Sequence, residues 1–299
     1  MSRFIRTNLV RDRTAATEVL PLDLPVLPLS HLIVSLDMFN ATDEATLAEI
    51  LAFINSITVS QNGKTILTQP SEDLYAVNTY LYGNRPVLTG KLATDNLWRC
   101  LSLIVPFGRK TFDVNECFPA TQKGELTLTI DYAAPATAAD NGTLNIEAVQ
   151  LVGATPRHYL KTVTKTVSAP GQTGDNEISL PMGHEIIAIG IRNTTWPAAS
   201  SHTFGVDMAT VLIDEVEEGY AGARAQCLTG DLIFTEETQH GTIAAQGLIT
   251  PDSVFWLDYD PKRDSEWLLQ TAGKASAKLK LEMGVDEATF VTTMERVSV

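Results

Sequence analysis

One β-rich pattern is written twice along this chain. His31 to Thr42, HLIVSLDMFNAT, returns as His184 to Thr195, HEIIAIGIRNTT, with His, Asn and Thr at matching places and an offset of 184 − 31 = 153 residues. Leu101 to Ile104 match Val254 to Leu257, and Leu126, Leu128 and Ile130 match Leu279, Leu281 and Met283, at the same step. Ile57 and Val59 match Val211 and Ile213 at 154, and Ile146 and Glu147 match Met294 and Glu295 at 148. Drift of this kind is what loops of changing length produce. The repeat is too long for a solenoid or propeller unit, and each copy is large enough to close its own core. The pattern predicts a duplicated β domain.

Each copy then reads as a series of short strands. Ile57 to Leu67, ITVSQNGKTIL, is a hairpin, because Asn62-Gly63 supplies the positive φ values of a type I′ turn. Glu125 to Tyr132 alternates strictly, with Leu126, Leu128, Ile130 and Tyr132 on one face. Leu97 to Phe107 and Leu144 to Val152 complete the first copy. Tyr159 to Val167, Glu177 to Leu180, Glu185 to Arg192, Met208 to Asp214, Val254 to Tyr259, Lys278 to Met283 and Phe290 to Val299 form the second.

Two helices interrupt the first copy. Leu47, Ile50, Leu51 and Ile54 follow helical spacing behind an expected cap at Thr42. A second helix starts at Ser71, with Glu72 and Asp73 in its first turn, Gly83 at its C-cap and Pro86 beyond. Val19 to Leu29, with Pro21, Pro25 and Pro28, suits only an edge strand or lead-in. These elements predict an all-β fold: two tandem antiparallel jelly-roll β-sandwiches with a few short helices. The expected divisions are an N-terminal arm and lead-in at 1–30, a first jelly roll at 31–153 and a second at 154–299. The long stretch from Val216 to Pro251 suggests a Greek-key crossover.

Charge narrows the partners. A formal net charge of −14 over 299 residues disfavours a general nucleic-acid surface, and sequence-specific nucleic acid is not expected. The opening residues, MSRFIRTNLVRDR, run against that balance with four arginines and one acid. They lack a continuous apolar segment, which predicts no secretory leader and synthesis in a cytoplasm. Arg3, Arg6, Arg11 and Arg13, interleaved with Phe4, Ile5 and Leu9, are the candidate interaction residues. They read as a solvated tail, as contacts to an anionic surface such as nucleic acid or lipid, the latter as a short interfacial helix, or as contacts to a neighbouring chain.

Signatures of chemistry are missing. The histidines at 31, 158, 184, 202 and 240 form neither HxH nor HExxH, and no GxSxG, Walker-type or dinucleotide glycine pattern occurs. Asp258, Asp260 and Asp264 in DYDPKRD resemble the start of a calcium loop, but the required glycine is absent. The run Asp214-Glu215-Val216-Glu217-Glu218 reads as a solvated loop. Cys100, Cys117 and Cys227 are an odd set without CxxC, expected as buried free thiols. Trp98, Trp196, Trp256 and Trp267 could line a sugar site, although Trp98 and Trp256 fall in apolar strands and suit a core. No catalytic group, metal or cofactor is expected.

The tandem units, the ITVSQNGKTI hairpin followed by the capped SEDLYAVNTYLYGNRP helix, and the Arg-bearing arm together resemble the double jelly-roll major capsid proteins of tailless, membrane-containing viruses and bacteriophages. That resemblance implies a non-enzymatic virion protein: a homotrimer whose six sandwiches make a pseudo-hexameric tile of an icosahedral capsid. Its implied partners are further copies of itself, penton and minor capsid proteins, and an internal lipid membrane reached through the arm, which would face the particle interior. Two other classes use similar folds: glycan amidases built from two jelly rolls, and carbohydrate-binding attachment modules.

Overall fold

The structure, a computed structural model, describes residues 3–14, 19–41, 45–86, 88, 97–133, 139–167, 174–193, 205–231 and 254–299. The chain divides into two compact units, Met1–Thr162 with Ser298–Val299 and Val163–Val297.

The first unit contains β1 (Arg3–Thr14), β2 (Val19–Asp23), β3 (Leu29–Asn40), α1 (Leu47–Leu51), β4 (Ile54–Gln61), β5 (Lys64–Gln69), α2 (Ser71–Tyr82), β6 (Trp98–Pro106), β7 (Leu126–Tyr132) and β8 (Ala139–Val152). One layer runs β1-β8-β3-β6 and the other β5-β4-β7-β2, with antiparallel pairing in both. β9 (His158–Thr166) begins in the first unit and continues into the second, where β10 (Gly174–Ser179), β11 (Glu185–Arg192), β12 (Val206–Ile213), β13 (Val216–Glu217), β14 (Ala223–Arg224), α3 (Ala225–Asp231), β15 (Val254–Asp258), β16 (Leu269–Gln270), β17 (Ala277–Met283) and β18 (Phe290–Ser298) follow. The layers of the second unit run β9-β18-β11-β15 and β13-β12-β17-β10, with β14 on β12 and β16 on β11. Substituting strand for strand, the two orders are the same. Each is the jelly-roll arrangement expected from the repeat.

Burial follows from alternation. β7 presents Leu126, Leu128, Ile130 and Tyr132 to the core and its threonines outward, and β3 contributes Leu32, Val34, Leu36 and Met38. In the second unit Ile186, Ile189, Ile191, Leu279 and Leu281 do the same, with Lys278, Lys280 and Glu282 outward. Each fully buried aliphatic side chain contributes about 1.5–3 kcal/mol.

Residue-level matching is less exact than topology. Leu101 and Leu103 face the first core, but in β15 it is Phe255 and Leu257, opposite Ile191 and Ile189, that face the second. The alignment of Leu101 with Val254 is therefore one residue out of phase. The bulge of β3 against β8 falls between Leu29 and His31, and that of β11 against β18 between Ile186 and Ala188, a step of 186 − 29 = 157. His31 thus lies inside β3, whereas His184 precedes β11. Thr42 and Thr195 lie outside the described residues, as does most of Val216 to Pro251.

Local signals behave as their chemistry dictates. Asn62 and Gly63 close the β4–β5 hairpin at φ 49° and 77°. In α2, acidic Glu72 and Asp73 meet the positive end of the helix dipole, and Gly83 ends it at φ 68°. α1 is shorter than expected and starts later: its cap is Thr46, which forms a reciprocal capping box with Glu49. Trp98, at the mouth of β6, is 48% exposed rather than core, while Trp256 is buried over Gly190, whose missing Cβ leaves room for the indole.

The loop after β6 is packed shut. Phe107 stacks on Phe118 and Phe118 on Tyr159, with ring centroids 5.5 and 5.0 Å apart. Arg109 grips Glu116 through both carboxylate oxygens at 2.6–3.0 Å, and both side chains are largely buried. Gly108 is required here, because a Cβ would overlap the backbone oxygen of Glu116.

Candidate interaction surface

All seven arm residues lie on β1, which pairs along β8 from Arg3 opposite Val152 to Thr14 opposite Thr143. The expected free arm or interfacial helix is instead a strand of the sheet. Without β1, the edge of β8 would leave a row of backbone donors and acceptors unpaired, and an extended segment satisfies them. Side chains reinforce the docking: Arg6 pairs with Glu147, Gln150 donates to Thr7 Oγ1 at 2.9 Å, and Asn145 Oδ1 accepts from Asp12 N at 2.9 Å. Leu9 packs against the core beside the buried Val10. Arg11 meets Asp12 at 3.3 Å, and Arg13 also has a partner. Arg3, Phe4, Ile5, Arg11 and Arg13 remain exposed.

Phe4 belongs to an aromatic stack that reaches into the sheet. Its ring meets Phe112 edge-on at 5.3 Å, and Phe112 meets His31 likewise at 5.3 Å. Phe112 stands at φ 63° and is 48% exposed, held by donation from its N–H to Ser30 Oγ at 2.7 Å. Ser30 Oγ lies 2.9 Å from His31 Nδ1. Burial, followed by the nearby Arg6 charge, lowers the His31 pKa to about 4 and keeps the ring neutral at pH 7. Phe112 and Glu147 complete a surface that no motif announces.

The opposite edge of that layer is blocked. Asn78 on α2 donates to Ile104 O at 2.7 Å and accepts from Ile104 N at 2.7 Å, so its amide imitates the next strand on β6.

The remaining candidates are structural. Asp258 Oδ1 accepts from Asp260 N, Asp260 Oδ1 from Ser265 N and Asp264 Oδ1 from Glu266 N, at 2.8–3.0 Å, so these carboxylates shape their own loop. Asp214 and Glu215 form the β12–β13 turn. Among the described residues no group of three or more His, Cys, Asp or Glu could hold a metal ion. Cys117 is buried, and burial pushes its thiol up to about 11. Cys100 is half-buried beside Ser35 and Ser102 and is also raised by burial, whereas Cys227 is exposed, contrary to expectation. No described helix is long and apolar enough to cross a membrane. Trp196 falls outside the described residues.

The architecture has close counterparts among solved structures. The major capsid protein P2 of bacteriophage PM2 superposes with a TM-score of 0.68 at 17% identity, covering 100% of this chain and 98% of that one. A chain from the atomic structure of Sulfolobus Turreted Icosahedral Virus gives 0.71 at 11% identity over 99% and 91%. VP54 of PBCV-1 gives 0.67 at 9% identity over 99% and 94%. No protein-family model matches the sequence, and no curated protein does. At these identities the likeness establishes the fold: a double jelly roll of the kind found in viral major capsid proteins.

Proposed function

We propose that this chain is the major capsid protein of an icosahedral virus, a structural subunit without catalytic activity. Likeness over essentially the full length of both chains supports the reading, since the similarity embraces both jelly rolls and their order and not one domain alone. Three copies associate as a homotrimer, and the six sandwiches give a pseudo-hexameric tile that fills a lattice with penton and minor capsid proteins. On this reading β1 is a contact strip between tiles. Its exposed Arg3, Arg11 and Arg13 complement the acidic surface implied by a net charge of −14, and Phe4 and Ile5 supply apolar area. The strip favours protein over lipid, because Arg6 is already neutralised by Glu147 and fewer charges remain for headgroups.

Light scattering and electron microscopy of the purified chain test this. The expected species has three times the 32.5 kDa chain mass, with a near-hexagonal outline. A stable monomer that releases glycans from glycoprotein would overturn it in favour of the amidase class.

A further inference from the structure

The loop after β15, the counterpart of the closed loop after β6, stands open. Between β13 and the segment from Tyr259 to Lys274 lies a cavity of about 530 Å³, within the range that holds small-molecule ligands. Its walls are braced before any ligand arrives. The Tyr220 hydroxyl accepts from Asp258 N at 2.8 Å and donates to Asp258 O at 3.1 Å, and the Tyr259 hydroxyl donates to Glu218 O at 3.1 Å. The two rings meet edge to face at 5.3 Å, and Gly219, at φ 74°, lets Tyr259 approach where a Cβ would come within 2.7 Å. A cavity held in shape by bonds already made loses little entropy when it is filled.

The lining is mixed in a particular way. Trp267 is 57% exposed and carries the Lys262 ammonium over its ring at 5.5 Å. Gln270 spends its Nε2 on Glu185 and on Leu268 O, which leaves Oε1 to accept. Glu218, Asp258 and Lys274 also line it, two acidic residues and one basic. An apolar ligand would leave these polar groups unmatched. A polyanion would meet Glu218 and the charge of −14. A sugar suits all of them, because a pyranose offers a C–H face to an aromatic ring and a rim of hydroxyls that both donate and accept.

We propose that this cavity is a carbohydrate-binding site that stacks a short neutral saccharide on Trp267 and holds its hydroxyls with Gln270, Glu218 and Lys274. The site stands independently of the capsid reading. On a particle, many weak copies would act together on a glycan-bearing surface.

Saturation-transfer NMR on the full chain tests the proposal, with the methyl glycosides of glucose, galactose, mannose and N-acetylglucosamine as probes. At least one probe should receive saturation, with a Kd of about 1 mM. Trp267→Ala should weaken it tenfold or more and Lys274→Ala by a smaller factor, while Trp98→Ala, removing an exposed indole of the first unit, leaves it unchanged. Trp267 is exposed, so its thermal midpoint should hold; if it does not, Lys274→Ala carries the test. Transfer to none of the probes, or binding that survives both variants, overturns the assignment, and trimer mass is unaffected either way.

Discussion

The β4–β5 turn of the first unit and the β12–β13 turn of the second both place two consecutive residues at positive φ, yet their chemistry differs. Asn62 and Gly63, at 49° and 77°, adopt that conformation readily. Asp214, at 50°, tolerates it, but Glu215, at 65°, does not, and contacts hold both there. Asp214 Oδ1 accepts from Ala275 N at 2.7 Å and Ser276 N at 3.0 Å, and Glu215 meets Lys278 at 2.6 Å. Those backbone donors hold the Asp214 carboxyl below its ordinary range. The right-handed twist of paired strands demands the turn, and residue preference is only one way to meet the demand. The loops after β6 and β15 diverge in the same manner: aromatic contacts and a buried ion pair seal one, whereas braced tyrosines keep the other open.

Breaking the seal should produce the largest effect. Glu116→Gln removes the carboxylate that Arg109 grips through both oxygens in a largely buried pair and should cost about 3–5 kcal/mol, read from the denaturant midpoint. Asp258→Asn in the open loop, where Arg263 stands 3.8 Å away, should cost much less; equal losses would show that the two loops are closed alike. A smaller effect concerns pH and localises to the first unit. The folded His31 pKa of about 4 lies below the unfolded value of 6.5. Above pH 6.5 both states leave the ring neutral and the stability is whole. As pH falls toward 4, the unfolded chain gains a proton that the buried ring refuses, and roughly 3 kcal/mol is lost. His31→Gln should flatten the stability profile across that window, and an unchanged slope would assign the dependence elsewhere. The smallest effect is at the turns. Gly63→Ala should cost about 1 kcal/mol, because alanine resists the left-handed region. Glu215→Gly, which relieves strain but loses an exposed ion pair, should stay within about 0.5 kcal/mol of zero. Urea titrations of the two variants compare the turns directly, and equal costs would remove the distinction.

What local sequence could reveal tracked how far its signal was local. β7 was legible because apolar and polar residues alternate without exception, and α2 because acidic residues, apolar spacing and Gly83 agree. The run Val254-Phe255-Trp256-Leu257 carries no alternation, so its phase could not be read, and the match slipped by one. β1 was misleading for a different reason: its arginines resemble a solvated tail, while the edge that recruits it belongs to a strand more than a hundred residues away. Trp98 and Trp256 both suit a core by their apolar strands, yet Trp98 is exposed. Only the fold separates exposed Trp267 beside a cavity from Trp256 pressed on Gly190.

That distant edge has a consequence for synthesis. Arg3 opposes Val152, 152 − 3 = 149 residues later, so β1 leaves the ribosome long before its partner exists. At about 5–20 residues per second the wait is roughly seven to thirty seconds. For that interval an extended segment bearing Phe4, Ile5, Leu9 and Val10 is exposed to every other nascent chain, the circumstance in which charged gatekeepers suppress aggregation. The four arginines therefore have work to do in the polysome, before any sheet has closed.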